Sequence, residues 1–202
     1  MKKIVSALLA LTMLVLVFAG CTKIKEPDKY GAVLDMYLGT KPINLDPATA
    51  YTDESLVRVL NLIFQGIMRI NSNGKLEKAL AKSYEFYTDN KNGDRVLRIK
   101  LNTTYWSDSS LVQSHDVVYA WKRILDPAFS SEAAAMLYPI KGARQAKLGE
   151  IGIDDIGLYA VSKNILEVRF EEGADEDEFL YNLASPALVP LRENKIALYK
   201  DT

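Results

Sequence analysis

The clearest pattern of apolar and polar positions runs from Ala79 to Pro127. Leu97, Ile99 and Leu101 alternate with Arg98 and Lys100, a period of two that gives a strand one apolar and one charged face. Tyr84 and Phe86 set the same rhythm upstream, and the polar run Asp89 to Asp94, with Asn92 and Gly93, predicts the turn that joins the two strands. Val117, Val118, Trp121, Ile124 and Leu125 then follow helical spacing. This pattern predicts a helix with Ser114 as N-cap, Asp116 in the first turn, Lys122 and Arg123 near the end and Pro127 as its stop.

The same reading extends in both directions. Ala32 to Leu38 reads as a buried first strand, and Gly39 to Pro47 as a loop rich in turn formers. Leu56, Val59, Leu60, Ile63 and Phe64 form a helical stripe that starts at Thr52 or Asp53, ends by Gly66 and is expected to pack against a sheet. Ile67 to Ile70 predicts a short strand turning at Asn73 and Gly74. Beyond Pro127, short helices are expected within Ser130 to Leu137 and Gly142 to Leu148. A second hairpin spans Leu158 to Val161 and Ile165 to Glu171, with Leu166, Val168 and Phe170 alternating with Glu167 and Arg169. The acidic run Glu171 to Glu178 reads as a solvated loop leading into a helix that carries Phe179, Leu180 and Leu183, and Arg192 to Tyr199 as the start of another. The fold class implied is α/β (α+β), with mostly antiparallel strands and packed helices.

Composition narrows the function. In 202 residues with 49% apolar content there is room for one sizeable core. Lys plus Arg number 25 against 26 for Asp plus Glu, which leaves no basic footprint for nucleic acid. One cysteine and one histidine exclude an internal disulfide framework and disfavour a zinc site, so no metal is expected. There is no phosphate loop, dinucleotide fingerprint or nucleophile elbow, and no cofactor is expected. Ser114, His115 and Asp116 have catalytic residue types. As neighbours at a helix start they point in different directions, whereas a catalytic triad converges from separate segments. The chain therefore reads as a non-enzyme.

The N-terminus carries an address. Lys2 and Lys3 precede an apolar run from Ile4 to Ala19 that is short for a membrane span and built as an export signal. The sole cysteine, Cys21, follows Phe18, Ala19 and Gly20, an arrangement that resembles the bacterial lipobox with Phe18 at the usual leucine position. That resemblance implies a lipoprotein signal peptide over 1–20, acylation of Cys21 with palmitate-type chains, and a location on the extracytoplasmic side of the cell membrane. Residues 21–31, polar and containing Pro27, read as a tether. Loss of Lys2 and Lys3 on processing would move the formal charge from −1 to about −3.

Among the aromatic residues, Trp106 and Trp121 are expected in the core or at a domain seam. Tyr51, in a loop at a helix start, is either a ligand contact or a half-buried loop aromatic.

A set of short motifs then falls into a familiar order. Leu45-Asp46-Pro47, Phe64-Gln65-Gly66, Asn73 to Leu76, Leu80 to Tyr84, Leu97 to Leu101, Trp106-Ser107-Asp108, Asp116 to Arg123 and Leu125-Asp126-Pro127 together resemble the extracytoplasmic solute-binding proteins of peptide and nickel ABC transporters. The resemblance implies a periplasmic-binding-protein-like type II lobe and a lipid-anchored binding component that closes around oligopeptides and delivers them to ABC transporter permease subunits. It implies ligand contacts at Tyr51 and Thr52. It also implies a division of the chain into the first strand and loop of a large lobe (32–47), a small α/β domain (48–184) and a re-entry into the large lobe (185–202), truncated relative to the family's usual length. Three departures stand out: Ser109 where the family usually has glycine, Ala133 where an aromatic residue is common, and the short chain. The last motivates an alternative expectation, a truncated surface lipoprotein serving as an interaction module without peptide transport.

Overall fold

The computed structural model describes residues 44–196. The readings over residues 1–20, at Cys21, over the 21–31 tether and over Ala32 to Leu38 lie outside these residues, as do the loop up to position 43 and the stretch from 197 onward.

The two hairpins foreseen from alternation form one sheet. Strands β3 (Ala81–Thr88) and β4 (Arg95–Leu101) make the first, β5 (Leu158–Ser162) and β6 (Ile165–Arg169) the second, and the order β3-β4-β6-β5 is antiparallel throughout. The central contact sets Leu97 opposite Val168 and Ile99 opposite Leu166, so the period-two alternation of both strands places four buried apolar side chains on one face. A smaller antiparallel pair, β1 (Met68–Ile70) and β2 (Leu76–Lys78), precedes the sheet.

The apolar face is covered by helix α3 (Ser114–Leu125), whose Val117, Val118, Trp121, Ile124 and Leu125 are all buried. Short helices α4 (Ala134–Leu137) and α5 (Ala143–Lys147) and helix α6 (Glu176–Asn182) complete the layer. Phe179 of α6 meets Trp121 edge-on at 6.2 Å and Phe170 at 5.1 Å, and Phe86 stacks on Phe170 at 6.1 Å. These geometries are the favoured ones for aromatic pairs. The Trp121 indole N–H donates to the Leu188 carbonyl at 2.9 Å, within a 3₁₀ turn at Pro186–Leu188. Trp121 thus lies in the core, whereas Trp106 is half-buried outside it and donates its indole N–H to Asp116 at 3.3 Å.

On the opposite face the register lines up Glu85, Arg98 and Glu167 across three strands. Glu167, although on the polar side of the alternation, is only 8% exposed. Its carboxylate accepts from Arg98 Nε at 2.8 Å and Tyr87 Oη at 3.1 Å, and Arg98 lies over the Tyr87 ring. Pairing with a guanidinium and a phenol is what makes that burial tolerable. At the end of the sheet, Arg169 donates to Asp89 at 2.9 Å and to Asp94 at 3.1 Å, and Lys141 donates to Asp94 at 2.6 Å.

Four local expectations change. Gln113, not Ser114, is the residue before α3, with Asp116 three positions on accepting the Gln113 backbone N–H at 2.8 Å. A carboxylate reaching back in this way satisfies the orphan donor without a serine cap. Ser114 is instead buried, its N–H bonded to Lys163 O at 2.9 Å and its hydroxyl to Ser162 O, pinning the helix to the β5–β6 turn. Helix α2 (Glu54–Ile63), capped by Asp53, does not lie on the sheet. It packs against the Pro186–Leu188 turn and a preceding one-turn helix, burying Leu56 and Leu60 beside Ala50 while Leu62 and Ile63 remain exposed. The sheet's apolar face is already occupied by α3. Gly66 does not end that helix, which stops at Ile63; a Cβ at Gly66 would come within 2.8 Å of Met68 O and 3.0 Å of Leu183 O, so the residue answers a close backbone approach. Pro47, expected in a loop, opens the one-turn helix α1 (Pro47–Ala50).

The Trp106 turn places Ser109, where the resemblance implies glycine, in the left-handed region. Ser109 has φ 67°, and its N–H donates to Trp106 O at 2.9 Å. Asp108 accepts from the Ser110 hydroxyl at 2.6 Å and from Arg192, and these bonds hold its carboxyl far below the usual range. A Cβ in the left-handed region costs about 1–2 kcal/mol. Ser109→Gly is therefore expected to raise stability by about 1 kcal/mol in urea unfolding. An unchanged or lowered midpoint would contradict the strain.

The Asp89 and Asp94 carboxyls are both held below their ordinary pKa, Asp89 by the Lys91 backbone N–H and then Arg169, Asp94 by Lys141 and then Arg169. A carboxylate depressed in the folded state contributes stability that is present above its unfolded pKa of about 3.9 and is lost as pH falls through the folded value. The stability gap between the parent and Arg169→Gln should accordingly be widest above about pH 5 and shrink below about pH 4 in pH-resolved unfolding curves.

Candidate functional site

The segment that carries Tyr51 and Thr52 is built from Leu45-Asp46-Pro47 upward. Asn44 Oδ1 accepts the Asp46 N–H at 2.7 Å, and Asn44 Nδ2 donates to Thr49 Oγ1 at 2.8 Å. Asp46 Oδ1 accepts from Ala48 N at 3.1 Å, capping α1, and Pro47 supplies a first helical position that needs no donor. The turn is then held from outside. Arg123, near the end of α3, donates to Asp46 Oδ1 at 3.0 Å and also to Oδ2, a two-pronged pair in which both side chains are largely buried. The Arg123 guanidinium lies 4.0 Å from the centre of the Phe129 ring.

The second Leu-Asp-Pro, Leu125 to Pro127, completes the clamp. Asp126 Oδ1 accepts from Ala128 N at 2.8 Å, the same local bond that Asp46 makes. Lys147 Nζ donates to Ile124 O at 3.0 Å, Asp126 O at 2.9 Å and Phe129 O, closing the carbonyl end of α3 and fixing the following loop. Burial lowers the Lys147 pKa, with Asp126 opposing the shift. From that loop, Ser131 Oγ donates to Ala48 O at 2.5 Å and accepts from Ala133 N at 3.2 Å. Two distant Leu-Asp-Pro motifs are thus joined by an ion pair at one end and a hydroxyl bond at the other.

Tyr51 sits at the C-terminal cap of α1, half-buried against the main core. Its phenol pKa is raised by burial and by the Glu132 carboxylate, so the hydroxyl keeps its proton and its capacity to donate. Thr52 is exposed and donates to Thr49 O at 3.4 Å. The structure brings Tyr51 and Thr52 to one connection between α1 and α2, within the electrostatic reach of Glu132. Cys21 lies outside the described residues. Glu132, Ser131 and Lys147 carry no motif that marks them in the sequence, and Arg123 reads there only as a cation near a helix end.

The remaining chemistry-bearing groups have structural partners or stand alone. His115 is exposed, 4.0 Å from Glu193. Asp154 pairs with Lys122 at 2.6 Å, Glu171 accepts from Gly142 N at 2.8 Å, Asp175 caps α6, and Glu176 pairs with Arg95 at 2.5 Å. Ala133 is fully buried, which places it in the core. Among the described residues, no three His, Cys, Asp or Glu side chains gather to hold a metal.

Residues 75–201 match the family model described as bacterial extracellular solute-binding proteins, family 5 middle region. The oligopeptide-binding protein OppA of Bacillus subtilis is 34% identical over 145 residues, covering 72% of this chain and 26% of that protein. The dipeptide-binding protein DppE of the same organism is 29% identical over 184 residues, covering 86% and 33%. Among solved structures, the Escherichia coli murein tripeptide-binding protein MppA superposes with a TM-score of 0.69 at 26% identity over 80% of this chain and 31% of its own. The substrate-binding domain of a Bacillus anthracis oligopeptide ABC transporter gives 0.68 at 30% identity over 78% and 29%. The chain spans about a quarter to a third of the length of the curated relatives it matches. The antiparallel sheet with packed helices is the fold of these periplasmic-binding-protein-like neighbours, and they are binding proteins rather than enzymes. With the family model matched over most of its length, the chain belongs to the bacterial extracellular solute-binding proteins of family 5.

Proposed function

We propose that this protein serves as the lipid-anchored, extracytoplasmic substrate-binding component of an oligopeptide ABC transporter. The observation that carries the ligand class is the shared family and fold with proteins named for oligopeptides, dipeptides and a murein tripeptide. Peptides offer a repeating set of main-chain donors and acceptors, which a rigid, polar-lined surface can hold with loose side-chain specificity. Tyr51 and Thr52 are the proposed contacts, on a turn that Asp46, Arg123 and Ser131 keep from moving. The domain plan follows: signal peptide over 1–20, tether over 21–31, large-lobe strand and loop over 32–47, small α/β domain over 48–184 and return segment over 185–202. Lys2, Lys3 and the apolar run before Cys21 support export and acylation, and the membrane-bound lipid would keep the protein near its permease.

Three outcomes test this reading. Thermal unfolding of the mature chain with mixed oligopeptides should show a raised midpoint, since free ligand at 100 times its Kd adds about 2.7 kcal/mol to a native state it alone binds. A flat response to every peptide would sink peptide binding by this chain. Tyr51→Phe, which keeps the core-packed ring and removes only the hydroxyl, should shrink that response while changing the peptide-free midpoint little, whereas Asp46→Ala, which removes a cap and one half of a largely buried ion pair, should cost about 2 kcal/mol without any peptide. Fatty-acid labelling should be lost in Cys21→Ser; a variant that still takes up label rules out the anchor.

A further inference from the structure

The chain contains two Asn-Gly pairs, Asn73-Gly74 and Asn92-Gly93. Both lie in hairpin turns with the glycine at positive φ, 73° and 77°. Glycine has no Cβ to shield its backbone nitrogen, so an asparagine just before it carries a latent cyclisation reaction. Both glycine nitrogens are also engaged alike, Gly74 with Asn71 O at 2.9 Å and Gly93 with Asp89 O at 2.8 Å.

What differs is the side chain that must be attacked. The Asn92 carboxamide is held at both ends: Nδ2 donates to Asp94 Oδ2 at 2.6 Å, and Oδ1 accepts from Asp94 N at 3.1 Å and from Arg169 Nη1 at 3.4 Å. Asp94 is itself fixed by Lys141 and Arg169. Asn73 is exposed; its backbone N–H donates to Asn71 Oδ1 at 2.9 Å, and among the described residues its carboxamide makes no hydrogen bond. Bringing Cγ onto the next nitrogen requires the Asn92 bonds to break and costs Asn73 nothing comparable.

We propose that Asn73 is a site of spontaneous deamidation and isomerisation, and that the folded structure protects Asn92 from the same reaction. The Gly74 nitrogen gives its proton to solvent base and bonds to Asn73 Cγ, closing a succinimide ring. The carboxamide C–N bond breaks and nitrogen leaves as ammonia. Water then opens the ring at either carbonyl, yielding aspartate or isoaspartate, with no change of oxidation state. Either product adds a negative charge at the tip of the β1–β2 hairpin. Isoaspartate also lengthens the main chain inside a turn closed by Asn71 N to Lys75 O at 2.9 Å, which loosens a hairpin whose strands have only three residues each.

The test is timed incubation of the folded chain at mildly alkaline pH, with peptide mapping by mass spectrometry and enzymatic methyl labelling of isoaspartate. Asn73 should convert at least about tenfold faster than Asn92, the factor that corresponds to one or two hydrogen bonds broken before attack. In denaturant the two rates should converge, and Asp94→Ala should speed Asn92 in the folded chain. Equal rates at the two sites in the folded chain, or an Asn73 that reacts only in denaturant, would overturn the assignment.

Discussion

The arrangement of the described residues depends on the burial of one indole. Trp121 has no exposed surface, and its N–H would cost about 1–3 kcal/mol if it lacked an acceptor there. The acceptor is the Leu188 carbonyl, from a segment far along the chain. Satisfying that one donor fixes the distance between α3 and the Pro186–Leu188 turn, and the edge-on contact with Phe179 fixes α6 against both. The Asp116 carbonyl accepts the Leu191 N–H at 3.1 Å, which draws the same segment along the helix. A single helix therefore sets the sheet on one side and the returning chain on the other.

That helix also anchors the turn that carries Tyr51. The apolar face of α3 fills the core, while Arg123 near its C-terminal end reaches Asp46, and Lys147 donates to the last carbonyls and to Phe129 O, holding the loop that carries Ser131. The ion pair has little water around it and a stacked aromatic ring beneath it, so it is less screened than a surface pair. Core packing and the geometry of the Tyr51 turn are in this way linked: anything that shifts α3 on the sheet shifts the turn.

The sheet and its covering helix are legible in the sequence because their signals are periodic. Leu97, Ile99 and Leu101 in one strand and Leu166 and Val168 in the other name the apolar face directly, and the stripe ending at Leu125 names the helix that covers it. The pairing of β4 with β6 is not legible, since alternation says which face is buried and not which strand is the neighbour. Helix α2 shows the complementary failure: its stripe is real, but periodicity cannot reveal that another helix already holds the sheet. The clamp is harder still. Arg123, Ser131 and Lys147 act through single hydrogen bonds to partners remote in sequence, and such bonds leave no local pattern. Ser114 is not the cap for a different reason: Asp116 supplies the reverse half of a capping box and frees the serine for a tertiary bond.

The joining of two local hairpins through their inner strands has a consequence for how the chain acquires its structure. Each hairpin closes a short loop and is entropically inexpensive to form, but Arg98 and Glu167, which meet across the centre, are 69 residues apart. Helix α3 lies between the hairpins in sequence and presents the surface on which both must settle. The central pairing of β4 with β6 is therefore the long-range contact of the sheet, the kind whose closure entropy slows folding relative to the two local hairpins.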